Sequence, residues 1–193
     1  MMELSKSEYS SVQQLYDFIK KIGAFKKYEE PVKLSSGKLS NYYFNIKLVT
    51  GDAEGINLLA KVLYERIQKL GKIEAIGGLE AGSIPLATAV SQLSYLENPD
   101  KPIQSFYVRK KPKEHGLRKR IEGIVGSHVV VVDDVVTTGS SALEAVEYLQ
   151  DQEEIEVNYL LTVVYRGTKE EALNFKKKHG VELEYIFLES DFY

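Results

Sequence analysis

Along the chain, short apolar runs give way to segments whose apolar residues recur every three or four positions, and this alternation sets the elements. Over residues 9–22, Leu15, Phe18, Ile19 and Ile22 fall on one helical face and Gly23 marks the stop. Residues 33–49 behave differently: Ser35, Ser36, Gly37, Ser40 and Asn41 punctuate short apolar stretches, which is the pattern of a hairpin. A second helix is predicted over residues 52–70, with Ile56, Leu59, Ala60 and Leu63 in register and Gly71 closing it. Beyond it the rhythm is regular. Strands are predicted over 73–78, 103–108, 129–134, 157–165 and 183–188. Helices are predicted over 83–96, behind the strand into Asp133 (with Leu143, Val146 and Leu149 on one face), and over 169–179. Strands alternating with helices imply right-handed crossovers and a mostly parallel central sheet flanked by helices, an α/β fold. The first helix and the hairpin fall outside that rhythm.

Composition narrows the function classes. The 193 residues suffice for one sizeable core and are too few for two comfortable domains. Cysteine is absent, which removes disulfides, thiolate nucleophiles and thiolate metal ligands. With only His115, His128 and His179, a His-rich metal cluster is not expected. Residues 1–10 lack a basic-then-apolar leader pattern, and no apolar run approaches the length of about 18 residues that a membrane span needs. The expectation is a cytoplasmic protein with no membrane partner. The net charge of −3 argues against bulk attraction to nucleic acid or anionic lipid.

Candidate chemistry concentrates in the run V-V-V-V-D-D-V-V-T-T-G-S-S, residues 129–141. It reads as a buried strand ending in two acids, Asp133 and Asp134, then a small turn, then a helix. Backbone N–H groups at a helix start have no intrahelical partners and cradle phosphate readily. Gly139 lets the backbone come close, and Thr137, Thr138, Ser140 and Ser141 add hydroxyl donors. The adjacent carboxylates could hold two vicinal ribose hydroxyls, at the end of a parallel strand where such sheets bind ligands. A plain core strand followed by a capped helix would give the same apolar pattern, but it would not call for four hydroxyl residues and a glycine in five positions. Neither GxxxxGK[ST] nor GxGxxG occurs here.

A second concentration is basic. Residues 109–120 carry seven Lys or Arg against one acid, in a chain that is net acidic. Pro112 and Gly116 argue against a regular helix, so the segment reads as a loop of the kind that carries function. A solvated surface run is the plain alternative. No aromatic residue interleaves the cations, as a single-stranded nucleic-acid platform would require. A lid over a diphosphate suits them better. At ~4 Å a charge pair is worth about 1 kcal/mol in water but about 4 kcal/mol at an effective dielectric of 20. Closure would also keep water from the activated sugar.

The run D-D-V-V-T-T-G-S-S resembles the phosphoribosyl-diphosphate (PRPP) signature of the type I phosphoribosyltransferases. That resemblance implies a five-stranded parallel core with a separate small N-terminal hood and chemistry at the ribose anomeric carbon. The expected organisation is a single domain of residues 1–193, with about 1–50 contributing the hood and about 51–193 the α/β core. PRPP contacts would fall on Asp133, Asp134, Val135, Val136, Thr137, Thr138, Gly139, Ser140 and Ser141. The run leaves the nucleobase open, and it also permits a PRPP-sensing regulator without chemistry.

The segment R-K-x-x-K-x-H-G, after Phe106, Tyr107 and Val108, is similar to the catalytic loop of the orotate phosphoribosyltransferases. The resemblance assigns Arg109, Lys110, Lys113 and His115 to PRPP and diphosphate. It names Lys113, Arg109, Asp133, Asp134 and His115 as the catalytic group. In that family the loop reaches the neighbouring subunit's site, which implies a homodimer with shared active sites. Residues 34–45 resemble the family's hood segment, whose aromatic pair beside the orotate ring would be Tyr43 and Phe44, although aromatics at strand spacing are also ordinary core. Arg166, after a strand, matches an Arg that pairs with orotate's carboxylate, a task for a planar two-point donor. A surface ion pair is its plain alternative. Thr137 would also face orotate.

Residues 77–85 resemble the diphosphate loop, with two departures. Many relatives have Tyr-Lys where this chain has Ala81 and Gly82, and Lys where it has Ser35. The resemblance spans about residues 25–166. It implies transfer of the phosphoribosyl group from PRPP to orotate, giving orotidine 5′-monophosphate and diphosphate in pyrimidine biosynthesis. Mg2+ would be held mainly by substrate rather than by a protein cage.

Overall fold

The structure is a computed structural model that describes residues 6–34, 37–112, 120–153 and 155–193. Its elements run α1 (Lys6–Lys21), β1 (Phe25–Lys33), β2 (Leu39–Phe44), α2 (Ile46–Thr50), α3 (Ala53–Ile67), β3 (Ala75–Gly77), α4 (Ser83–Glu97), β4 (Gln104–Val108), β5 (Ile121–Gly123), β6 (His128–Val136), α5 (Ser140–Glu153), β7 (Glu156–Tyr165), α6 (Lys169–His179) and β8 (Glu182–Leu188), and a 3-10 turn follows at Glu189–Phe192. The main sheet has the order β5-β4-β3-β6-β7-β8. Five of its strands are parallel, as the alternation predicts, and β5 joins β4 antiparallel at the edge. β1 and β2 form a separate antiparallel pair.

The run of valines explains the layering. Side chains alternate across a strand, so Val130 and Val132 enter one apolar cluster while Val129 and Val131 enter the other. The first cluster holds Leu15, Phe18 and Ile19 of α1, Leu59 and Leu63 of α3, and Leu86 and Val90 of α4. The second holds Val146 and Leu149 of α5 and Phe175 of α6. Leu15, Ile19, Leu59 and Leu63 are fully enclosed, each worth roughly 1.5–3 kcal/mol on transfer from water. Local signals set the helix starts. Asp52 caps α3 by accepting from Glu54 N–H at 2.9 Å and Gly55 N–H at 3.0 Å. Thr168 and Glu171 form a capping box on α6.

Three expectations change. The hairpin is β1–β2, residues 25–44, rather than 33–49, and Ile46–Thr50 is helical. β1 has an almost wholly exposed and charged sequence, F-K-K-Y-E-E-P-V-K, so no alternation marks it. The strand into the acid pair does not stop there. β6 continues to Val136, with Asp133 opposite Thr162 and Val136 opposite Tyr165. β5, three residues long, is too short to carry a periodic signal.

The hairpin is tied to the main sheet through aromatic contacts at the C-terminal turn. The Phe192 ring lies 5.2 Å from Phe25, 5.0 Å from Phe44 and 5.4 Å from Phe187. Tyr193 stacks on Tyr42 at 4.3 Å. These contacts set the hairpin beside the carboxyl ends of β6, β7 and β8. No helix among the described residues is long and apolar enough to cross a membrane.

Candidate active site

Parallel strands present their carboxyl ends to one edge of the sheet, and a cavity of about 400 Å³ opens there. β6 contributes Asp133, Asp134 and Val135, and the turn behind it contributes Thr137 and Ser141. The loop after β3 brings Glu80, Ala81 and Gly82, β2 brings Tyr43 and Phe44, and Arg166 comes from the end of β7. Lys110, next after Arg109 beyond β4, completes the polar wall. A smaller concavity of about 250 Å³ shares Asp133, Val135, Thr137 and Ser141 with the first and is closed by Val136, Thr138, Gly139 and Ser140. The sequence-predicted acid pair and hydroxyl turn thus line two adjoining hollows.

The acid pair is crowded. Asp133 Oδ1 accepts from Asp134 N–H at 3.0 Å, and Asp134 Oδ1 accepts from Val135 N–H at 2.8 Å. Burial, and then the Asp134 charge beside it, push the Asp133 carboxyl up to about 7, with Lys110 pulling weakly the other way. Asp133 therefore holds its proton to a higher pH than a free carboxyl does. In the hydroxyl turn, Thr138 Oγ1 and Ser140 Oγ share a hydrogen bond at 2.8 Å. Gly139 has φ +83°, and a Cβ there would lie 2.9 Å from Phe175 Cζ, so both its backbone and its surroundings require glycine. Val136 turns its side chain into the core, leaving its backbone at the hollow, and its carbonyl accepts from Arg166 N–H at 2.8 Å.

Arg166 is held from three sides. It donates from Nε to Glu189 Oε2 at 3.0 Å and from Nη2 to Glu189 Oε1 at 2.8 Å. Nη2 also reaches Ser40 Oγ at 2.8 Å and the Tyr42 carbonyl at 2.9 Å. The plain alternative of a surface ion pair is thus replaced by a buried one. Phe44 lies under the guanidinium, 5.8 Å from ring centre to Cζ, and is buried in the core, whereas Tyr43 is 39% exposed at the cavity. Of the predicted aromatic pair, Phe44 therefore has both the core and the lining role.

The basic segment divides. Arg109 N–H donates to the Arg120 carbonyl at 2.8 Å, and Arg120 Nε returns a bond to the Arg109 carbonyl at 2.6 Å. Arg120 also pairs with Glu144 and lies over the Tyr148 ring, so it is a strut. Arg109 faces Glu122 at 3.8 Å and does not line the cavity, whereas Lys110 does. Lys113 and His115 lie outside the described residues, as does Ser35.

Sequence reasoning missed Glu189, Ser40 and the part played by Glu80. Glu189 follows β8 just as Arg166 follows β7, but the pairing of those strands has no local signature. Nor does the sequence signal that the Glu80–Ala81 peptide is cis.

Comparison with known proteins agrees with the geometry. The profile of the phosphoribosyl transferase domain matches residues 52–191. The orotate phosphoribosyltransferase of Rhodopseudomonas palustris (strain TIE-1) is 45% identical over 141 residues, 70% of this chain and 73% of that protein. That of Aquifex aeolicus (strain VF5) is 43% identical over 164 residues, 82% of this chain and 85% of that one. The crystal structure of Mycobacterium tuberculosis H37Rv orotate phosphoribosyltransferase in complex with 5-phospho-alpha-D-ribosyl 1-diphosphate has a TM-score of 0.70 at 28% identity, covering 94% of this chain and 98% of that one. An acid pair, a hydroxyl turn and an aromatic-backed arginine around one cavity, on a fold and sequence shared with these proteins, place this chain in the orotate phosphoribosyltransferase family.

Proposed function

We propose that this protein transfers the 5-phosphoribosyl group of PRPP to orotate, giving orotidine 5′-monophosphate and diphosphate in de novo pyrimidine biosynthesis. The observation that carries the reading is the convergence of Asp133, Asp134, Thr137, Arg166, Tyr43 and Lys110 on one cavity that adjoins the hydroxyl turn.

The hydroxyl turn from Thr137 to Ser141 receives the 5′-phosphate, with Gly139 keeping the backbone close. Asp133 and Asp134 orient the ribose hydroxyls and favour positive charge developing at the anomeric carbon as diphosphate departs. Orotate lies against Tyr43 and Phe44, its carboxylate on Arg166, and its N1 attacks. Because Glu189 already takes Nε and one bond of Nη2, the contact to orotate falls on the remaining Nη1 edge, which donates to no described residue. Arg109, Lys110, Lys113 and His115 serve the diphosphate from the basic segment. The protein's contribution is positioning and charge stabilisation.

Asp133 and Asp134 stand side by side at the cavity, each with one carboxylate oxygen engaged by a backbone N–H, and would fit Mg2+ held mainly by substrate oxygens. When bound, Mg2+ would neutralise charge on the departing diphosphate. The protein works in the cytoplasm as a homodimer with shared sites, Lys110 lining its own subunit's cavity while Arg109, Lys113 and His115 serve the partner's, and as a single domain in which about residues 1–50 form the hood.

The test is ultraviolet loss of orotate with PRPP, with and without Mg2+, with hypoxanthine, adenine and uracil as controls. Mg2+-dependent consumption of orotate alone is expected. Turnover of another base would overturn the substrate, and PRPP binding without any turnover would favour a regulator.

A further inference from the structure

The diphosphate loop of this chain has no cation of its own at residues 81 and 82, and the structure shows how closely its backbone approaches the acid pair instead. A Cβ built on Gly82 lies 3.2 Å from Asp133 Oδ1 and 3.2 Å from Asp134 Oδ1, tighter than ordinary van der Waals contact. Even a Cβ at residue 82 would need both carboxylates to give by a few tenths of an ångström, and Ala81 and Gly82 bring no charge, so the charge that a diphosphate requires arrives from elsewhere. Lys33 and Lys47 reach the cavity from β1 and α2, and Arg166 is engaged by Glu189. Lys110 reaches it from beside the diphosphate loop, and its charge is the one felt at Asp133.

What holds Lys110 there is specific. The loop after β3 is zipped to the end of β4: Val108 N–H donates to the Gly78 carbonyl at 2.8 Å, and Glu80 N–H donates to the Val108 carbonyl at 2.9 Å. One residue past this ladder, the Glu80 side chain takes over. Its Oε1 accepts from Lys110 N–H at 2.8 Å. A carboxylate accepting from a backbone amide is a strong, directional tie. It fixes the first residue of the basic segment that faces the cavity.

We propose that Glu80 is a positioning residue whose carboxylate, by holding the Lys110 amide, seats Lys110 at the cavity wall as the cation that serves the diphosphate in place of a side chain at residue 82. The inference rests on the reading that this cavity takes PRPP.

The test compares wild type with E80A, E80Q, K110A and E80A/K110A, measuring KM and kcat for each substrate, and inorganic diphosphate binding by calorimetry. E80A should raise KM for PRPP and weaken diphosphate binding roughly tenfold, about 1.4 kcal/mol for one charge-assisted hydrogen bond. The KM for orotate should stay within about twofold, since a group tied to the diphosphate wall makes no contact with the base. E80Q, whose amide oxygen still accepts from Lys110 N–H, should recover most of the loss, and the double variant should be no weaker than K110A. If E80A does not fold, Glu80→Asp withdraws the carboxylate by one methylene and should give the same losses. Losses that fall equally on orotate and PRPP, that multiply in the double variant, or that E80Q fails to recover would overturn the proposal. So would diphosphate binding unchanged in E80A. Wild type inactive on orotate would instead sink the functional reading beneath it.

Discussion

Arg166 and Glu189 meet as a two-point ion pair at the carboxyl ends of neighbouring strands, Nε to Oε2 at 3.0 Å and Nη2 to Oε1 at 2.8 Å. They are adjacent because Tyr165 and Leu188 are register partners, so each is the next residue beyond a paired strand end. Their side chains are only 4% and 14% exposed. Removing one partner of such a pair strands a buried charge at a cost of about 3–5 kcal/mol, so Arg166→Ala would confuse folding with binding. Arg166→Lys keeps the charge and loses the fork. We expect it to raise the orotate KM by tenfold or more, on the order of the 1.5–3 kcal/mol of a charged hydrogen bond, with the PRPP KM within about twofold. Steady-state kinetics in both substrates decides it, and equal losses for the two would defeat the carboxylate assignment.

Asp133 sets a pH dependence of stability. Its carboxyl is pushed from 3.8 up to about 7 by burial and by Asp134. Between those values the folded chain holds a proton that the unfolded chain has released, so stability falls as pH rises, and the full cost is present above about pH 7. Asp133→Asn should therefore stabilise the protein at pH 8, by an amount on the order of 1–3 kcal/mol, and make little difference below pH 3.8. Turnover should be lost at the same time. Denaturant melts at the two pH values read the effect, and a variant no more stable at pH 8 would mean that the pair's charge is already compensated.

How far this site was legible follows from where its information resides. The valine run, the acid pair and the hydroxyl turn are contiguous, so periodicity and local chemistry reveal them together, and the span 169–179 predicted from periodicity is that of α6, whose ends the structure shows set by a capping box and a left-handed Gly180. β1 was not seen because its charged side chains face solvent, and β5 because three residues carry no period. Glu189 was invisible for a different reason. Its role depends on β8 lying beside β7, a fact of tertiary order that no residue near position 189 announces. Glu80 was read as part of a loop, but its bond to Lys110 spans thirty positions.

Gly139 offers a test of the hydroxyl turn with a built-in comparison. Gly139→Ala meets both a positive φ and Phe175 at 2.9 Å, whereas Gly180→Ala meets φ +80° with nothing within 4 Å. Backbone strain alone costs about 1 kcal/mol, and the crowding of Phe175 adds roughly 1–3 kcal/mol. At about 2–4 °C per kcal/mol for a chain of this size, Gly139→Ala should melt clearly lower than Gly180→Ala. It should also raise the KM for PRPP, which Gly180→Ala should not. Calorimetry and PRPP titrations of both variants settle it, and matching melts would show that Phe175 yields at no cost.

Whether the site is shared between subunits turns on the basic segment. Arg109 stands outside the cavity and faces Glu122 at 3.8 Å, while Asp133 and Asp134 line the cavity itself. If Arg109 and Lys113 act on the partner's site, a subunit lacking them still offers an intact acid pair, and a subunit lacking the acid pair still offers an intact basic segment. Arg109→Ala/Lys113→Ala and Asp133→Asn/Asp134→Asn should each be inactive alone. Mixed and allowed to exchange, they should regain roughly a quarter of wild-type turnover, because random exchange in a two-fold dimer makes half the dimers hybrid with one complete site each. Differently tagged subunits report the exchange independently of activity. Exchange without recovery would confine each basic segment to its own subunit's cavity, and Arg109 would then have to leave Glu122 and swing inward to reach the diphosphate.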